Sequence, residues 1–212
     1  MTLAKKIETD AGQLGIWLLN EPLEQLLQNF HFTETEKKEF ACITSEKRKK
    51  EYLAVRTLLE NLLNFKPQID YEKSGKPILA NSPLHISVSH SADLVVAVIS
   101  KINIGIDVER TDRDINRIAT RFLHPQEMNF VEQTQNQQSA KVLLWSAKEA
   151  IFKCTCLEGI EFSRQIRIQP FILENTGKIS GELNANSETT KYQLEYFFFE
   201  NNVIVFCVEI KI

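Results

Sequence analysis

Ile104-Gly105-Ile106-Asp107-Val108-Glu109-Arg110 is the stretch around which the fold is predicted to be built. Its isoleucines and valine favour a β-strand, in which side chains alternate between two faces. Ile106 and Val108 would face a core, and Asp107 and Glu109 would share the other face, about 7 Å apart. Two such charges repel each other unless a cation lies between them, and a hard divalent ion suits oxygen ligands. The alternative is an edge strand with a solvated acidic face.

A second charged stretch has the spacing of a helix and reads Trp145-Ser146-Ala147-Lys148-Glu149-Ala150-Ile151-Phe152-Lys153. Trp145, Glu149 and Lys153 fall on one side of that helix, with Lys148 adjacent. Charges next to large apolar side chains are costly unless they are paired. The alternative is an ordinary amphipathic helix with a surface pair between Glu149 and Lys153 and a tryptophan that belongs to the core.

If the two stretches are neighbours in the fold, three carboxylates lie close together. Asp107, Glu109 and Glu149 would hold Mg²⁺, with water and a phosphate completing its ligands. Lys148 and Lys153 would neutralise the same phosphate. Chemistry at a pyrophosphate would then need charge stabilisation by the metal and a base for the incoming hydroxyl.

A second anion site is predicted on a long helix that begins after Ser45. The run 47–50 is basic, and Arg56 falls within the apolar pattern, where a half-buried guanidinium needs an anion. The alternative for the basic run is a solvated helix face. Ser89-His90-Ser91 ends a predicted strand and offers polar groups for a phosphate or ribose, although a lone histidine is more often an ordinary core or surface residue.

The composition is that of an ordinary globular protein. The chain has 212 residues, 43% of them hydrophobic and 25% charged, which allows one large domain or two small ones. The net charge of −3 gives no global attraction to nucleic acid or to an acidic membrane. Residues 1–10 do not form an apolar secretion signal, and no run has the length of a membrane span. We therefore expect a cytoplasmic protein with its four cysteines reduced.

Helical and strand patterns alternate twice along the chain. The predicted strands cover 14–19, 85–91, 94–100, 104–110, 161–168, 178–183, 191–199 and 203–212. The predicted helices lie within 21–30, 33–40, 45–65 and 127–132, and a long one is capped by Ser139. Arg113, Arg117 and Arg121 are predicted to form one basic stripe on a further helix. The expected fold class is α+β, with two similar halves, 1–102 and 103–212, and the site at their seam.

The two charged motifs resemble a known pair. Gly105-Ile106-Asp107-Val108-Glu109, followed about forty residues later by Trp145-Ser146-x-Lys148-Glu149-x-x-x-Lys153, resembles the signature of the Sfp-type 4′-phosphopantetheinyl transferases, of the holo-acyl-carrier-protein synthase superfamily. Three weaker elements match in the same order: the basic helix that contains Arg56, Gly75-Lys76-Pro77, and Ser89-His90-Ser91. The resemblance covers nearly the whole chain.

This resemblance implies an activity and a fold. The family moves the phosphopantetheine arm of coenzyme A onto a serine hydroxyl of an apo acyl or peptidyl carrier protein, with Mg²⁺, and releases 3′,5′-ADP. Coenzyme A is thus a co-substrate. The family fold is a monomer of two similar halves with antiparallel sheets, related by a pseudo-twofold axis.

The resemblance also implies residue roles. The Mg²⁺ ligands would be Asp107, Glu109 and Glu149. Glu149 would also be the general base, and Lys153 the second catalytic residue. The pyrophosphate would be held by Lys148 and Lys153. The 3′-phosphate end would be contacted by Arg48, Arg56 and His90, with Ser89 beside it. The adenine would be bordered by Lys76 and Pro77.

Two other functions remain open at this point. A Mg²⁺-dependent hydrolase of coenzyme A or nucleotides would use the same carboxylates with water as the nucleophile. A non-catalytic coenzyme A-binding module would need only the fold. The sequence leaves open which carrier protein is served, and whether the arginine stripe attracts an acidic carrier or is an ordinary solvated face.

Overall fold

The computed structural model describes residues 5–210. Its strands are β1 (Lys5–Thr9), β2 (Gly12–Leu18), β3 (Ile69–Tyr71), β4 (Pro77–Leu79), β5 (His85–Ser91), β6 (Leu94–Ser100), β7 (Ile104–Arg110), β8 (Ile166–Ile168), β9 (Thr176–Ala185), β10 (Glu188–Phe199) and β11 (Asn202–Glu209). Its helices are α1 (Leu23–Gln28), α2 (Glu34–Ala41), α3 (Glu46–Leu63), α4 (Ala119–Phe122), α5 (Pro125–Gln133), α6 (Gln137–Thr155) and α7 (Phe162–Gln165). Of the helices within this range, none combines the length and apolar character that a membrane crossing requires.

The strands form two main sheets. One has the order β1-β2-β6-β5, the other the order β7-β11-β10-β9-β8, and β3 and β4 pair as a small ribbon. The neighbouring strands are antiparallel, with Leu14 opposite Val98 in the first sheet and Asp107 opposite Val205 in the second. The prediction of an α+β fold with antiparallel sheets is confirmed.

The two sheets share one strand order. In the first, the order β2-β6-β5 places β2, the last strand before the helices, beside β6, the final strand of that sheet, and β6 beside β5. In the second, β7-β11-β10 repeats this arrangement. A long helix, α3 or α6, follows β2 or β7. The division at residue 102 and the pseudo-twofold axis stay predictions, and the shared order agrees with them.

The core has three parts. Helix α3 packs its leucines against Trp17 and Val95 of the first sheet. Helix α6 packs Ala147 and Ile151 against Leu194 of the second sheet. The third part is shared by β2, β6, β7 and β11 of both sheets and consists of Leu14, Ile16, Leu94, Val96, Val98, Ile104, Ile106, Val108, Ile204 and Phe206. Because strands of both sheets contribute to this cluster, burial of apolar surface holds the sheets together.

The helix ends follow from polar side chains. The hydroxyl of Ser45 accepts a hydrogen bond from the Arg48 amide and caps α3, as predicted. Helix α6 begins earlier than predicted, because the side chain of Asn136 accepts from the Ser139 amide at 3.1 Å, and Ser139 lies within the helix. Cys156 ends α6 with a positive φ of 55°.

Serine hydroxyls join the two sheets where β5 runs beside β7. Ser87, Ser89 and Ser91 accept hydrogen bonds of 3.0, 3.3 and 3.1 Å from the backbone amides of Ile106, Val108 and Arg110. Both sets of residue numbers rise together, so the two strands run in the same direction. We call these three contacts the serine seam. They fix β7 against the Ser89-His90-Ser91 corner.

Several predicted elements were wrong. The stripe of Arg113, Arg117 and Arg121 does not form one helix, because residues 111–115 are not helical, residues 116–118 form a short 3₁₀ turn and α4 begins only at Ala119. There Asp114 accepts from the backbone and side chain of Asn116, which competes with helix formation. Residues 162–165 are helix α7 and not strand. The strand predicted for 203–212 ends at residue 209, and residues 211–212 lie outside the described part.

Candidate active site

Asp107 is the centre of a buried polar cluster between β5, β7 and α6. Its side chain lies on the face of β7 opposite the shared core and is 4% exposed. Oδ1 accepts hydrogen bonds from Ser89 Oγ at 2.9 Å and Lys153 Nζ at 2.8 Å, and Oδ2 accepts from Ser146 Oγ at 2.8 Å. The alternative of a solvated edge strand is therefore excluded.

Gly105 explains how α6 comes so close to β7. A Cβ atom at this position would lie 2.0 Å from the carbonyl oxygen of Ala150 and 2.7 Å from the amide nitrogen of Cys154. Only glycine leaves room for the helix backbone at this distance. The glycine of the first motif thus places the second motif next to Asp107.

Glu109 is held by the second half of the chain. Its Oε1 accepts a 3.1 Å hydrogen bond from Trp145 Nε1 and a bond from Arg113 Nη1. Burial, followed by the charge of Asp107, raises the pKa of Glu109 against the charge of Arg113. Trp145 is therefore more than a core residue, although it also packs against the ring of Phe122 at 5.2 Å.

Glu149 carries the most perturbed carboxyl group of the cluster. Burial, and then the charge of Asp107, raise its pKa to about 7, and Lys153 opposes this shift. Glu109 contributes in the same direction as Asp107. The three predicted acids thus lie close enough to interact, and their mutual repulsion is only partly balanced by nearby cations.

The donor set fits a magnesium ion in chemistry but does not enclose one in this conformation. Three carboxylates face the side-chain charges of Lys153 and Arg113, which leaves an excess of negative charge. Hard oxygen donors of this kind suit Mg²⁺. Within residues 5–210, however, no three acidic, histidine or cysteine side chains converge in a metal-binding arrangement. Lys153 and Arg113 are bonded to two of the three acids instead.

The two lysines of the second motif have different positions. Lys153 reaches the cluster, where Nζ bonds Asp107 and lies 2.9 Å from Ser89 Oγ. Lys148 is wholly buried on another side of α6. Its Nζ donates to the carbonyl oxygens of Phe122, Ile166 and Phe162 at 2.7, 2.7 and 3.1 Å.

Glu127 completes the surroundings of Lys148. Its carboxylate lies 2.7 Å from Lys148 Nζ and also accepts from the amides of His124 and Ile168. Burial lowers the pKa of Lys148, and the charge of Glu127 opposes this. No phosphate can reach an ammonium group enclosed in this way. The assignment of Lys148 to the pyrophosphate was wrong, and the residue joins α4, α5, α6 and the β8 region.

Two neighbouring clefts lie on this side of the molecule, and one of them reaches the acidic cluster at Lys153. The first, which we call the His90 cleft, has a volume of about 460 Å³ and is lined by Arg48, Glu51 and His90. The second, the Lys76 cleft, has about 290 Å³ and includes Lys76, Pro77, Phe152 and Lys153 in its lining. Tyr71 and Val88 line both clefts. A ligand that extends past these two residues would occupy both.

Four of the residues predicted to contact coenzyme A line these clefts, and their contacts with a ligand stay predictions: Arg48, Lys76, Pro77 and His90. Lys76 Nζ bonds Asn103 Oδ1 and lies 3.4 Å from the carbonyl oxygen of Cys154, so Lys76 joins the β3–β4 ribbon to α6 and to the residue before β7. Arg48 Nη1 lies 3.2 Å from His90 Nε2. Ser89 is the exception, because its buried hydroxyl contacts Asp107 and the Val108 amide. The predicted ligand contact of Ser89 is thus replaced by a contact that positions Asp107.

Arg56 needs an anion, as predicted, but the protein supplies it. The side chain is buried, with Nη2 2.8 Å from Glu39 Oε2 and Nε 3.6 Å from Glu36 Oε1. Its guanidinium stacks on the Tyr52 ring, 3.4 Å from the ring centre. Arg56 also lines the His90 cleft, so its contact with the 3′-phosphate stays a prediction, and in this structure the acids of α2 neutralise its charge.

Sequence reasoning missed several residues of this site. Ser146 lies within the second motif but was given no role, and its hydroxyl bonds Asp107. Glu51 is 4% exposed in the His90 cleft. A signal for Glu51 was present, because it lies seven residues before Leu58 and so falls on the buried side of α3.

Comparisons with known proteins agree with these observations. Residues 103–207 match the family model of the 4′-phosphopantetheinyl transferase superfamily. The chain is 34% identical over 126 residues to the 4′-phosphopantetheinyl transferase HetI of Nostoc sp., covering 54% of this chain and 53% of the relative. It is 30% identical over 152 residues to the 4′-phosphopantetheinyl transferase gsp of Aneurinibacillus migulanus, covering 68% and 62%. The chain thus spans about half to three fifths of the length of these curated relatives.

A solved structure also aligns with this chain. The holo-[acyl-carrier-protein] synthase (AcpS) of Thermotoga maritima matches 52% of this chain and 64% of its own, with 17% sequence identity and a TM-score of 0.39.

The fold and the site define an α+β protein with an acidic cluster between two antiparallel sheets and cation-lined clefts beside it. Through residues 103–207, about half of its length, the chain belongs to the 4′-phosphopantetheinyl transferase superfamily. The resemblance predicted from the two motifs is confirmed.

Proposed function

We propose that this chain transfers the 4′-phosphopantetheine arm of coenzyme A to a serine hydroxyl of an apo acyl or peptidyl carrier protein and releases 3′,5′-ADP. One observation carries the proposal. Lys153 bonds Asp107 in the acidic cluster and also lines the Lys76 cleft. A phosphate bound at Lys153, at the end of this cleft, would therefore lie beside the carboxylates.

The two clefts suit the two ends of the 3′,5′-ADP part of coenzyme A. The adenine is bordered by Lys76 and Pro77, and the 3′-phosphate lies at Arg48 and His90. Lys153 neutralises the pyrophosphate. Support comes from the continuity of the clefts past Tyr71 and from the cations placed at either end.

Mg²⁺ would be held by Asp107, Glu109 and Glu149, whose oxygen donors suit it. When bound, it would stabilise negative charge that develops on the pyrophosphate. Arg113 would have to release Glu109, because it now occupies the carboxylate. Ser89 and Ser146 hold Asp107 in a fixed orientation through its two oxygens.

Glu149 is the proposed proton acceptor. In the metal-free protein its pKa of about 7 lies in the range of a general base at neutral pH, and bound Mg²⁺ would lower it toward the carboxylate form that accepts the proton. The serine oxygen forms a bond to the phosphorus that bears the pantetheine arm, the pyrophosphate bridge breaks toward 3′,5′-ADP, and the serine proton passes to Glu149. Lys153 balances the charge on the departing phosphate.

The partner is expected to be acidic around its serine. Arg117 and Arg121 are exposed, and both follow Glu109 closely in the sequence. Their positive charges would attract such a carrier. Arg113 is not counted with them, because it pairs with Glu109. Action in the cytoplasm as a monomer remains part of the proposal.

The proposal is tested by measuring 3′,5′-ADP with and without a carrier. The protein is incubated with coenzyme A, Mg²⁺ and an apo acyl carrier protein, and nucleotides are separated by chromatography. Release that requires the carrier supports transfer. Release without any carrier would instead support a hydrolase. Retained coenzyme A binding with no release on several carriers would support a binding module.

A further inference from the structure

Glu51 is a buried acid among cations in the His90 cleft. It lies in the second turn of α3 and is 4% exposed. Oε1 lies 3.3 Å from His90 Nδ1 and 3.8 Å from Lys47 Nζ, and Oε2 lies 3.4 Å from Arg48 Nη1. Within residues 5–210, Oε2 is buried without a partner in hydrogen-bond geometry. Buried carboxylate oxygens rarely stay unpaired.

The position of Glu51 determines the protonation of His90. Carboxylate oxygens only accept, so the Glu51 oxygen 3.3 Å away favours a hydrogen on Nδ1 of His90. A guanidinium only donates, so Nε2 must accept from Arg48, which is 3.2 Å away. The free protein therefore holds a neutral imidazole with its proton on Nδ1 and its lone pair toward the cleft.

A phosphate in the cleft would change this arrangement. It would attract the guanidinium of Arg48, and Nε2 would lose its donor. A proton on Nε2 would then bond the phosphate, while Glu51 would balance the resulting positive charge through Nδ1.

We propose that Glu51 is a positioning residue for phosphate recognition: it fixes His90 with its proton on Nδ1 and makes anion binding take up one proton on Nε2. This inference rests on the proposed function for the identity of the phosphate, which is the 3′-phosphate of coenzyme A. The geometry of the four side chains carries the rest.

The charges around His90 agree with such a change. Burial, together with the charges of Arg48, Lys153 and Lys47, lowers the pKa of His90, and Glu51 is the group that raises it. The phosphate would add a second negative charge beside the ring. Burial and the three nearby cations keep His90 neutral at neutral pH against the charge of Glu51, and Glu51 together with the phosphate makes it charged.

The test combines binding with a spectroscopic signature. Affinities for 3′,5′-ADP and for 5′-AMP, which lacks the 3′-phosphate, are measured by calorimetry at pH 6 and pH 8. We expect Glu51→Gln to weaken 3′,5′-ADP about tenfold at pH 8, as for loss of a charge-assisted hydrogen bond, and much less at pH 6. Binding of 5′-AMP should stay unchanged. Glu60→Gln, an exposed acid on the same helix, is the matched control.

Histidine ¹⁵N and ¹³C chemical shifts give the second readout. His90→Gln identifies the His90 signals. The wild-type ring should show the Nδ1–H form without ligand and the doubly protonated form with 3′,5′-ADP at pH 8, whereas the ring of Glu51→Gln should stay neutral. An Nε2–H ring in the free wild type, or equal loss of affinity at both pH values, would overturn the inference.

Inorganic phosphate separates the inference from the proposed function. Failure of the wild type to bind coenzyme A or 3′,5′-ADP would refute that function. Protonation of His90 by inorganic phosphate in the wild type would still support the role of Glu51, and its absence would refute it. Because this measurement uses the wild type, it remains decisive if Glu51→Gln does not fold.

Discussion

Lys148 and Lys153 show how position on one helix separates two residues of the same type. They lie five residues apart on α6, which is about 140° around the helix axis. Lys153 therefore faces β7 and pairs with Asp107, while Lys148 faces α4 and β8 and pairs with Glu127. The spacing of the motif was available in the sequence. The acid that pairs with Lys148 was not, because Glu127 lies twenty-one residues away.

Lys148→Met is expected to destabilise the protein strongly. It leaves the carboxylate of Glu127 buried without its cation, which costs about 3–5 kcal/mol in comparable buried pairs. Lys153→Met should cost much less, because Ser89 and Ser146 still bond Asp107. Urea unfolding of both variants measures the difference. Full stability of Lys148→Met with lost coenzyme A affinity would restore its predicted phosphate contact.

Glu149 should make the metal-free protein less stable as the pH rises. Its pKa in the folded state is about 7, against 4.5 in an unfolded chain, so the folded state binds the extra proton. Its contribution is complete below pH 4.5 and is lost as the pH rises through 7, on the order of 3 kcal/mol. Unfolding free energies from pH 5 to pH 8.5 with a chelator measure this loss.

Glu149→Gln is the control for that pH dependence. The variant has no charge to bury and should be more stable than the wild type at pH 8, with little difference at pH 5. Equal slopes for the two proteins would show that Glu149 is not the buried charge. Excess Mg²⁺ should restore the wild type at pH 8 and leave the variant unchanged.

At the scale of elements, the serine seam decides where Asp107 lies. Strands β5 and β7 contact each other through side-chain hydroxyls and not through a shared backbone ladder. The alternation of the predicted strand at 85–91 made these serines visible as one face. Their partner strand was not predictable, because nothing local indicates which amides lie opposite.

Ser87→Ala tests the seam. The substitution leaves the buried amide of Ile106 without its acceptor, which should cost about 1–3 kcal/mol. Ser180→Ala removes an exposed strand serine and should be near neutral. Urea unfolding compares the two variants. An equal, small effect for both would mean that the hydroxyl contacts do not hold β5 and β7 together.

The success of prediction also differed by element. Long periodic segments such as α3, β6 and β10 were recovered because their apolar patterns are unambiguous. Short elements failed: β3 and β4 pair over three residues each, and α7 has four. In such segments contacts with distant residues outweigh local preference. Asp107, Glu109 and Glu149 were brought together because two periodicities, of strand and helix, each placed acids on a defined face.

At the scale of the whole molecule, the two sheets are expected to unfold together. The apolar cluster shared by β2, β6, β7 and β11 would be exposed on both sheets if either opened alone. The chain has two tryptophans. Trp17 lies in the first sheet, and Trp145 lies in α6, which packs against the second sheet. Each reporter should therefore show the same cooperative transition.

Two variants measure this cooperativity. Trp145→Phe leaves Trp17 as the fluorescent reporter, and Trp17→Phe leaves Trp145. In each variant the midpoint of unfolding from fluorescence should equal that from circular dichroism. Separate midpoints for the two signals would mean that the halves unfold independently, and the shared cluster would then contribute little.

Intact-mass spectrometry of an apo acyl carrier protein tests whether this protein transfers phosphopantetheine at the carboxylates beside Lys153. After incubation with the wild-type protein, coenzyme A and Mg²⁺, the carrier should gain the mass of one phosphopantetheine arm. The gain should be absent with a chelator and with Glu149→Gln, and present with the control Glu60→Gln. A gain that persists with Glu149→Gln, or no gain on acyl and peptidyl carriers alike, would contradict the claim.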